Sequence, residues 1–404
     1  MFVCLFWAAT LAMDVAGQRD RAKVILMLFM LVTAVLYFGH HVYFMHNTGL
    51  LLWSDTAYAG VNLAVYPLYL IYILELTSLS GRRFWHLAWL LPAVVASCVV
   101  GALYMNMTAA EAHAFVSAYL YHNDSSALSG LPRVQAIVHN ICRVVFALEV
   151  VPVLFIGSRQ IRHFDFRVLN NYADVDDKVL YRMHTLLMFF VLTSAVSFAS
   201  NAVGRHYFDH SPWLLAIPSI TFSTLLFILG YVGHVQKFSI DNLEKDLHEE
   251  PVVMLQPTKE AKPRATKVQK AEPLTPVVDV APVADTTEEV YARDLRQRLD
   301  DVMIGRQLYL RPNLRLADLV KEMHSNRNYV YNIINRDMGI SFSEYVNRLR
   351  AQHAARLLDE GYALSHNELA EKSGFSSTTS FYRNFKLYMG CSPKEYQNKL
   401  KRRQ

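Results

Sequence analysis

A chain of 404 residues has room for two or three domains, and 52% apolar residues with a mean hydropathy of +0.15 exclude one ordinary soluble domain. The formal charge is +5, unevenly spread: from Arg306 on there are 17 Lys/Arg against 9 Asp/Glu, about +8. That end favours an anionic partner, nucleic acid or a lipid surface. Four cysteines (Cys4, Cys98, Cys142, Cys391) without paired spacing predict neither a disulfide nor a zinc site.

The apolar half comes first. Seven runs stand out, roughly 2–16, 24–44, 57–77, 86–105, 134–157, 181–203 and 213–236. A chain in lipid must satisfy its backbone groups internally, so each run is expected to be a helix. Most approach the ~20 residues that cross a hydrocarbon core. Residues 1–236 therefore read as a seven-span transmembrane helix bundle. The first run reaches only ~24 Å at 1.5 Å per residue. A cleaved signal peptide, though no positive residue precedes the run, and a start placed too late are rival readings of its shortness.

Loop charge sets the orientation. With the N-terminus outside, the inside loops carry Arg19, Arg21, Lys23, Arg82, Arg83, Arg159, Arg162, Arg167 and Lys178, against Arg133 and Arg205 outside. This positive-inside bias places everything after Tyr231 in the cytoplasm and predicts a multi-pass membrane protein.

Ionisable groups within spans mark candidate sites. Arg143 falls near the middle of span five, with His139 one turn outward and Glu149 further inward; Glu75 lies near the inner end of span three. Tyr58, Asn62, Tyr66 and Tyr69 follow one helix face, and Pro67 is a candidate kink. Asn62, Tyr66, Tyr69, His139, Arg143 and Glu149 are the candidate lining of a small-molecule pocket; interhelical hydrogen bonding and aromatic packing is the plainer reading. Histidines gather toward the outer side (His40, His41, His46, His113, His122, His206, His210), but in different loops and without a metal-ligand spacing. No metal, cofactor or nucleophile–base pairing argues for an enzyme.

A short amphipathic helix is expected from Lys237 to Glu250. Six prolines between Pro251 and Pro282 then predict a disordered, extended Pro-rich linker, with little to bury. The expected division is 1–236, 237–287 and 288–404. A stiff rod through the linker is not expected, which leaves oligomerisation or availability as routes for a signal.

Helical periodicity returns at Glu288–Met303. Leu316, Leu319, Val320 and Met323 form one helix face, His324-Ser325 a short turn, and Val330, Ile333 and Ile334 the core face of a second helix closed by Gly339. The pattern recurs: Leu369-Ala370, a turn at Gly374-Phe375, then Phe381, Phe385 and Tyr388, with Gly390 ending the helix and Ser392-Pro393 opening another. Ser343–Glu360 joins the two units. A short helix, a tight turn and a second helix with polar outward residues is the arrangement that lays its second helix in the major groove.

The spacing Leu316, Leu319, Gly339-Ile340-Ser341-Phe342, Arg350, Ala354-Ala355, Leu357-Leu358, Glu368-Leu369-Ala370, Gly374-Phe375, Phe381, Arg383, Phe385-Lys386, Gly390, Ser392-Pro393 and Tyr396 resembles the DNA-binding domain of AraC-type transcription regulators. The resemblance covers about a quarter of the chain, residues 306–400. It implies an all-α module with two helix-turn-helix units and double-stranded DNA as partner. Its outward residues map onto Arg327, Asn328, Tyr331, Asn332 and Arg336 of the first recognition helix. Those of the second are Thr378, Thr379, Tyr382, Arg383 and Lys386. Asn332 and Arg383 are then the expected base readers, and Arg327, Arg336 and Lys386 the phosphate contacts. The sequence departs at Val320, at His324 where a glycine often makes the turn, and at His366. A turn at His324 is expected to need positive φ.

The whole reads as a membrane-anchored one-component transcription regulator tuned by a small-molecule or envelope signal, with a homodimer left open. A transporter or membrane enzyme with a regulatory DNA-binding tail, and a precursor that releases a soluble transcription factor by proteolysis, are the alternatives.

Overall fold

The computed structural model describes residues 1–17, 20–78, 86–180, 183–189, 192, 212–248, 287–362 and 364–402. Among them every regular element is helical, apart from one isolated antiparallel bridge between Tyr172 and Arg315. The all-α expectation therefore holds. The Pro-rich segment 251–286 and most of the sixth apolar run lie outside the described residues. Contacts divide the chain into two compact units: Met1–Val168 with Asp177–Lys245, and Leu169–Asp176 with Asp246–Gln404.

The first unit holds α1 (Phe2–Gly17), α2 (Arg21–Phe44), α3 (Thr48–Thr77), α4 (Leu91–Asn106), the short α5 (Ala109–Phe115), most of α6 (Gly130–Leu169) and α7 (Pro212–Val235). A further helix, α8 (Ile240–His248), follows. Among the described residues five helical stretches are long and apolar enough to cross a membrane: Arg21–Phe44, Gly49–Thr77, Ala88–Asn106, Gly130–Leu169 and Ser219–Leu247, the last running through α7 into α8. The first run is a 16-residue helix, short as its sequence implied. Helix α6 differs most from expectation: it continues a full 12 residues beyond 157, to Leu169, and has 40 residues. Pro152 and Pro67 sit inside their helices without ending them. Along α6, Ile137, Ile141, Val144, Leu148, Val151 and Phe155 are all exposed at helical spacing, an apolar stripe of roughly 27 Å at 1.5 Å per residue.

Small residues let these helices approach closely, as in lipid, where no water drives them together. A Cβ at Gly60 would meet Ser97 Oγ at 2.1 Å and Ala93 O at 2.9 Å; one at Gly230 would enter the Trp7 ring.

The second unit comprises α9 (Thr287–Asp300), α10 (Leu316–Glu322), α11 (Arg327–Asn332), α12 (Phe342–Asp359), α13 (His366–Lys372), α14 (Thr378–Met389) and α15 (Pro393–Lys401), with the segment Leu169–Asp176. It has two cores. Leu299, Leu314, Leu319, Val330, Ile334 and Phe342 build the first. Ala354, Leu358, Leu369, Phe381 and Phe385 build the second. Helix α12 contributes to both, which fixes the two halves against each other.

Candidate nucleic-acid interface

Each recognition helix starts from a cap supplied by its own sequence. The Asn326 side chain accepts from Asn328 N ahead of α11, and Ser377 accepts from Ser380 N ahead of α14. Such caps satisfy amide groups that have no partner inside the helix. The scaffold helices use reciprocal capping boxes, Ser365 with Glu368 and Ser392 with Glu395. Serine hydrogen bonds hold the Glu368 carboxyl below the usual carboxylate range.

The two turns solve one geometric problem with different residues. His324 has φ 48° and Gly374 φ 80°. The first is the left-handed conformation that the sequence required of a histidine; the second is natural to glycine. A Cβ on Gly374 would also lie 2.5 Å from Leu310 O. Gly374→Ala is therefore expected to destabilise the second helix-turn-helix by ~2 kcal/mol or more, from positive φ and overpacking together. Hydrogen exchange of α13 and α14 in the full chain reads the loss; unchanged protection would show that Leu310 moves aside freely.

Of the ten residues singled out, Asn328, Arg336, Thr379, Arg383 and Lys386 are exposed, and Arg327, Tyr331, Asn332, Thr378 and Tyr382 are half-buried. Tyr331 packs against the first core and Tyr382 against the second. Tyr382 also meets the His366 ring, centroids 5.3 Å apart, so the sequence's departure at His366 becomes an aromatic contact. Thr378 Oγ1 donates to Asn367 Oδ1, 2.9 Å away. Tyr329 is exposed on α11 as well; the sequence reading passed over it.

The segment 169–176, Leu-Asn-Asn-Tyr-Ala-Asp-Val-Asp, is the feature that sequence reasoning missed. It follows α6 directly and is part of the second unit. Ala173 N donates to Leu314 O and Leu316 N donates to Asn171 O, both at 2.9 Å. Ala173 is wholly buried in the first core, and its carbonyl accepts from Ser343 Oγ and Asn347 Nδ2. Asp174 accepts from the Arg350 guanidinium at 3.1 Å and from Asn313 N at 2.9 Å. Burial pushes the Arg350 pKa down, and the Asp174 carboxylate opposes that shift. The flanking residues reach the recognition helices: Arg327 donates to Asn171 Oδ1, and Arg383 pairs with Asp176 Oδ1 at 2.5 Å. The Tyr172 hydroxyl donates to Asp246, and burial together with that bond raises its pKa.

The polar residues of the first unit separate into distinct groups. Asp55, which the sequence reading did not single out, accepts from Tyr104 OH at 2.7 Å and lies 2.9 Å from His139 Nε2. Arg143 instead donates to Asn123 and Asn140 and lies over the Tyr119 ring. Tyr66 packs edge-on against Phe146, and Tyr69 OH donates to Met183 O. Asn62 is half-buried. Glu149 is buried, and its oxygens have no hydrogen-bond partner among the described residues. No group of three His, Cys, Asp or Glu side chains able to hold a metal occurs among the described residues.

Two short helix–turn–helix units, rigidly joined by an 18-residue helix, form a double helix-turn-helix module, the class that presents a second helix to the major groove. Residues 319–399 match the family model described as a helix-turn-helix domain, and they are such a domain, of AraC type. The chain is 32% identical over 88 residues to the Msm operon regulatory protein of Streptococcus mutans (22% of this chain, 31% of that protein). It is 36% identical over 84 residues to an uncharacterised HTH-type transcriptional regulator, YtdP, of Bacillus subtilis (21% and 11%). It is 33% identical over 86 residues to the transcriptional regulatory protein HptR of Staphylococcus aureus (21% and 33%). The alignments thus span a third or less of each of these relatives. No solved structure matches the chain.

Proposed function

We propose that this chain is a membrane-anchored one-component transcription regulator. Its second unit binds promoter DNA through two recognition helices, and its first unit spans the inner membrane seven times with the N-terminus outside and tunes that binding. The observation that carries the reading is the pairing of exposed Asn328 on α11, Arg336 on the π-helical turn Ile333–Asp337 that continues it, and Thr379, Arg383 and Lys386 on α14, all held by one shared scaffold helix. Asn332 and Arg383 read base edges; Arg327, Arg336 and Lys386 hold phosphates.

The five long apolar helices and the exposed stripe on α6 support the membrane assignment. The excess of Lys/Arg in the proposed inner loops supports the orientation. The domain family is one of regulators, which favours a sensor over a transporter or an enzyme. Buried packing of Ala173 and Asp174 into the DNA-binding unit weighs against free release by cutting the Pro-rich linker, because the released fragment would lose both.

Selection of duplexes from a randomised pool by the full chain in lipid nanodiscs tests the reading. The expected product is one motif with two half-sites about 10–10.5 base pairs apart, one helical turn. Enrichment of no motif would contradict it.

A further inference from the structure

The family model covers residues 319–399 and so assigns no role to residues 169–176. We infer that this segment is an autoinhibitory clamp: Asn171 and Asp176 occupy Arg327 and Arg383, and duplex DNA must displace them to bind. The inference rests on the DNA-binding role proposed above.

Three observations converge. First, the clamp is anchored independently of its tips, by the buried Ala173 and by the Asp174–Arg350 pair, whose side chains are 4% and 0% exposed. Second, the tips lie on either side of that anchor and touch one arginine on each recognition helix, Arg327 on α11 and Arg383 on α14. Third, the segment carries two carboxylates and no basic residue. A carboxylate on a guanidinium makes the charge-assisted contact that a phosphate would make in a complex, so Asp176 and a phosphate or base acceptor exclude each other at Arg383. Chain continuity supplies the coupling. Leu169 ends α6, and Asn171 follows two residues later. A shift of α6 along its axis reaches the Asn171 tip, and the first unit resumes at Asp177, directly after the Asp176 tip, so each tip is tied to that unit from its own side without passing through the Pro-rich linker. The bistable element is the tip, engaged or free; the anchor remains docked in both states.

The test measures binding of the full chain in nanodiscs to its selected duplex, across a salt series, for wild type, Asp176→Asn, Asn171→Ala and Asp177→Asn. Asp177 is the control: it pairs with Lys178, is largely exposed, and belongs to the other unit. Asp176→Asn is expected to tighten binding about tenfold, within the range of ordinary coupling between sites. It should also steepen the logarithmic salt dependence by about one, because no cation is then taken up by a freed carboxylate. Asn171→Ala should tighten binding without changing the slope, and Asp177→Asn should do neither. Unchanged or weaker binding by Asp176→Asn, or equal tightening by Asp177→Asn, overturns the clamp. If wild type and every variant fail to prefer any duplex, the DNA-binding reading itself fails. Binding seen only in the Asp176→Asn and Asn171→Ala variants supports both.

Discussion

Asp174→Ala is expected to be the most damaging single change in the DNA-binding unit. Arg350 is wholly buried; its Nε donates to Tyr309 O at 2.7 Å and its second terminal nitrogen to Arg311 O at 2.8 Å. These carbonyls satisfy protons but supply no countercharge. Asp174 does, and its other oxygen holds Asn313 N in a turn where Asn313 has φ 53°. Removing one partner of a buried pair leaves an uncompensated charge and costs ~3–5 kcal/mol. Hydrogen exchange in the full chain should show amide protection along α12 falling by about a hundredfold or more, since ~1.4 kcal/mol is tenfold. Asp174→Asn, which keeps an acceptor, should fall between. Unchanged α12 protection in the alanine variant would mean that the carbonyls alone hold the guanidinium.

Arg383→Ala should lower affinity for the selected duplex by ~1–3 kcal/mol and relax preference at a single base pair. The clamp makes the loss dependent on background. In wild type the alanine also removes the Asp176 contact that opposes DNA, so part of the loss is cancelled. In Asp176→Asn nothing is cancelled and the full loss appears. A double-mutant cycle on binding free energy therefore predicts non-additivity in a definite direction. Additive losses would separate Asp176 from DNA recognition. Equal weakening on every sequence would reassign Arg383 to phosphate contact.

The sequence made the DNA-binding module legible because its signals are local. The faces Leu316–Met323 and Phe381–Phe385 and the glycines Gly339, Gly374 and Gly390 each declare an element within a few residues. Even the departure at His324 was readable, because a two-helix turn of that length demands positive φ there. What was not legible depends on contacts distant in sequence. Asp174 and Arg350 are 176 residues apart, and nothing near Asp174 marks it as other than a solvated loop aspartate. Asp55 escaped for a related reason: it precedes the apolar run 57–77, and its partners Tyr104 and His139 come from other helices. The extent of α6 was hidden by charge. Arg159, Arg162 and Arg167 looked like the end of a span, although they end only its apolar part. An unusually polar arginine 0% exposed, as Arg350 is, had no local sign at all beyond its place in the family-like spacing.

The most direct test of the account is to cross-link the intact chain to DNA in living cells, recover the membrane fraction, and sequence the attached fragments. The account predicts a narrow set of loci, each with paired half-sites one helical turn apart, and loss of that set when Arg336, Arg383 and Lys386 are all replaced by alanine. Fragments spread without regard to sequence, or a C-terminal reporter found outside the cytoplasm, would contradict it.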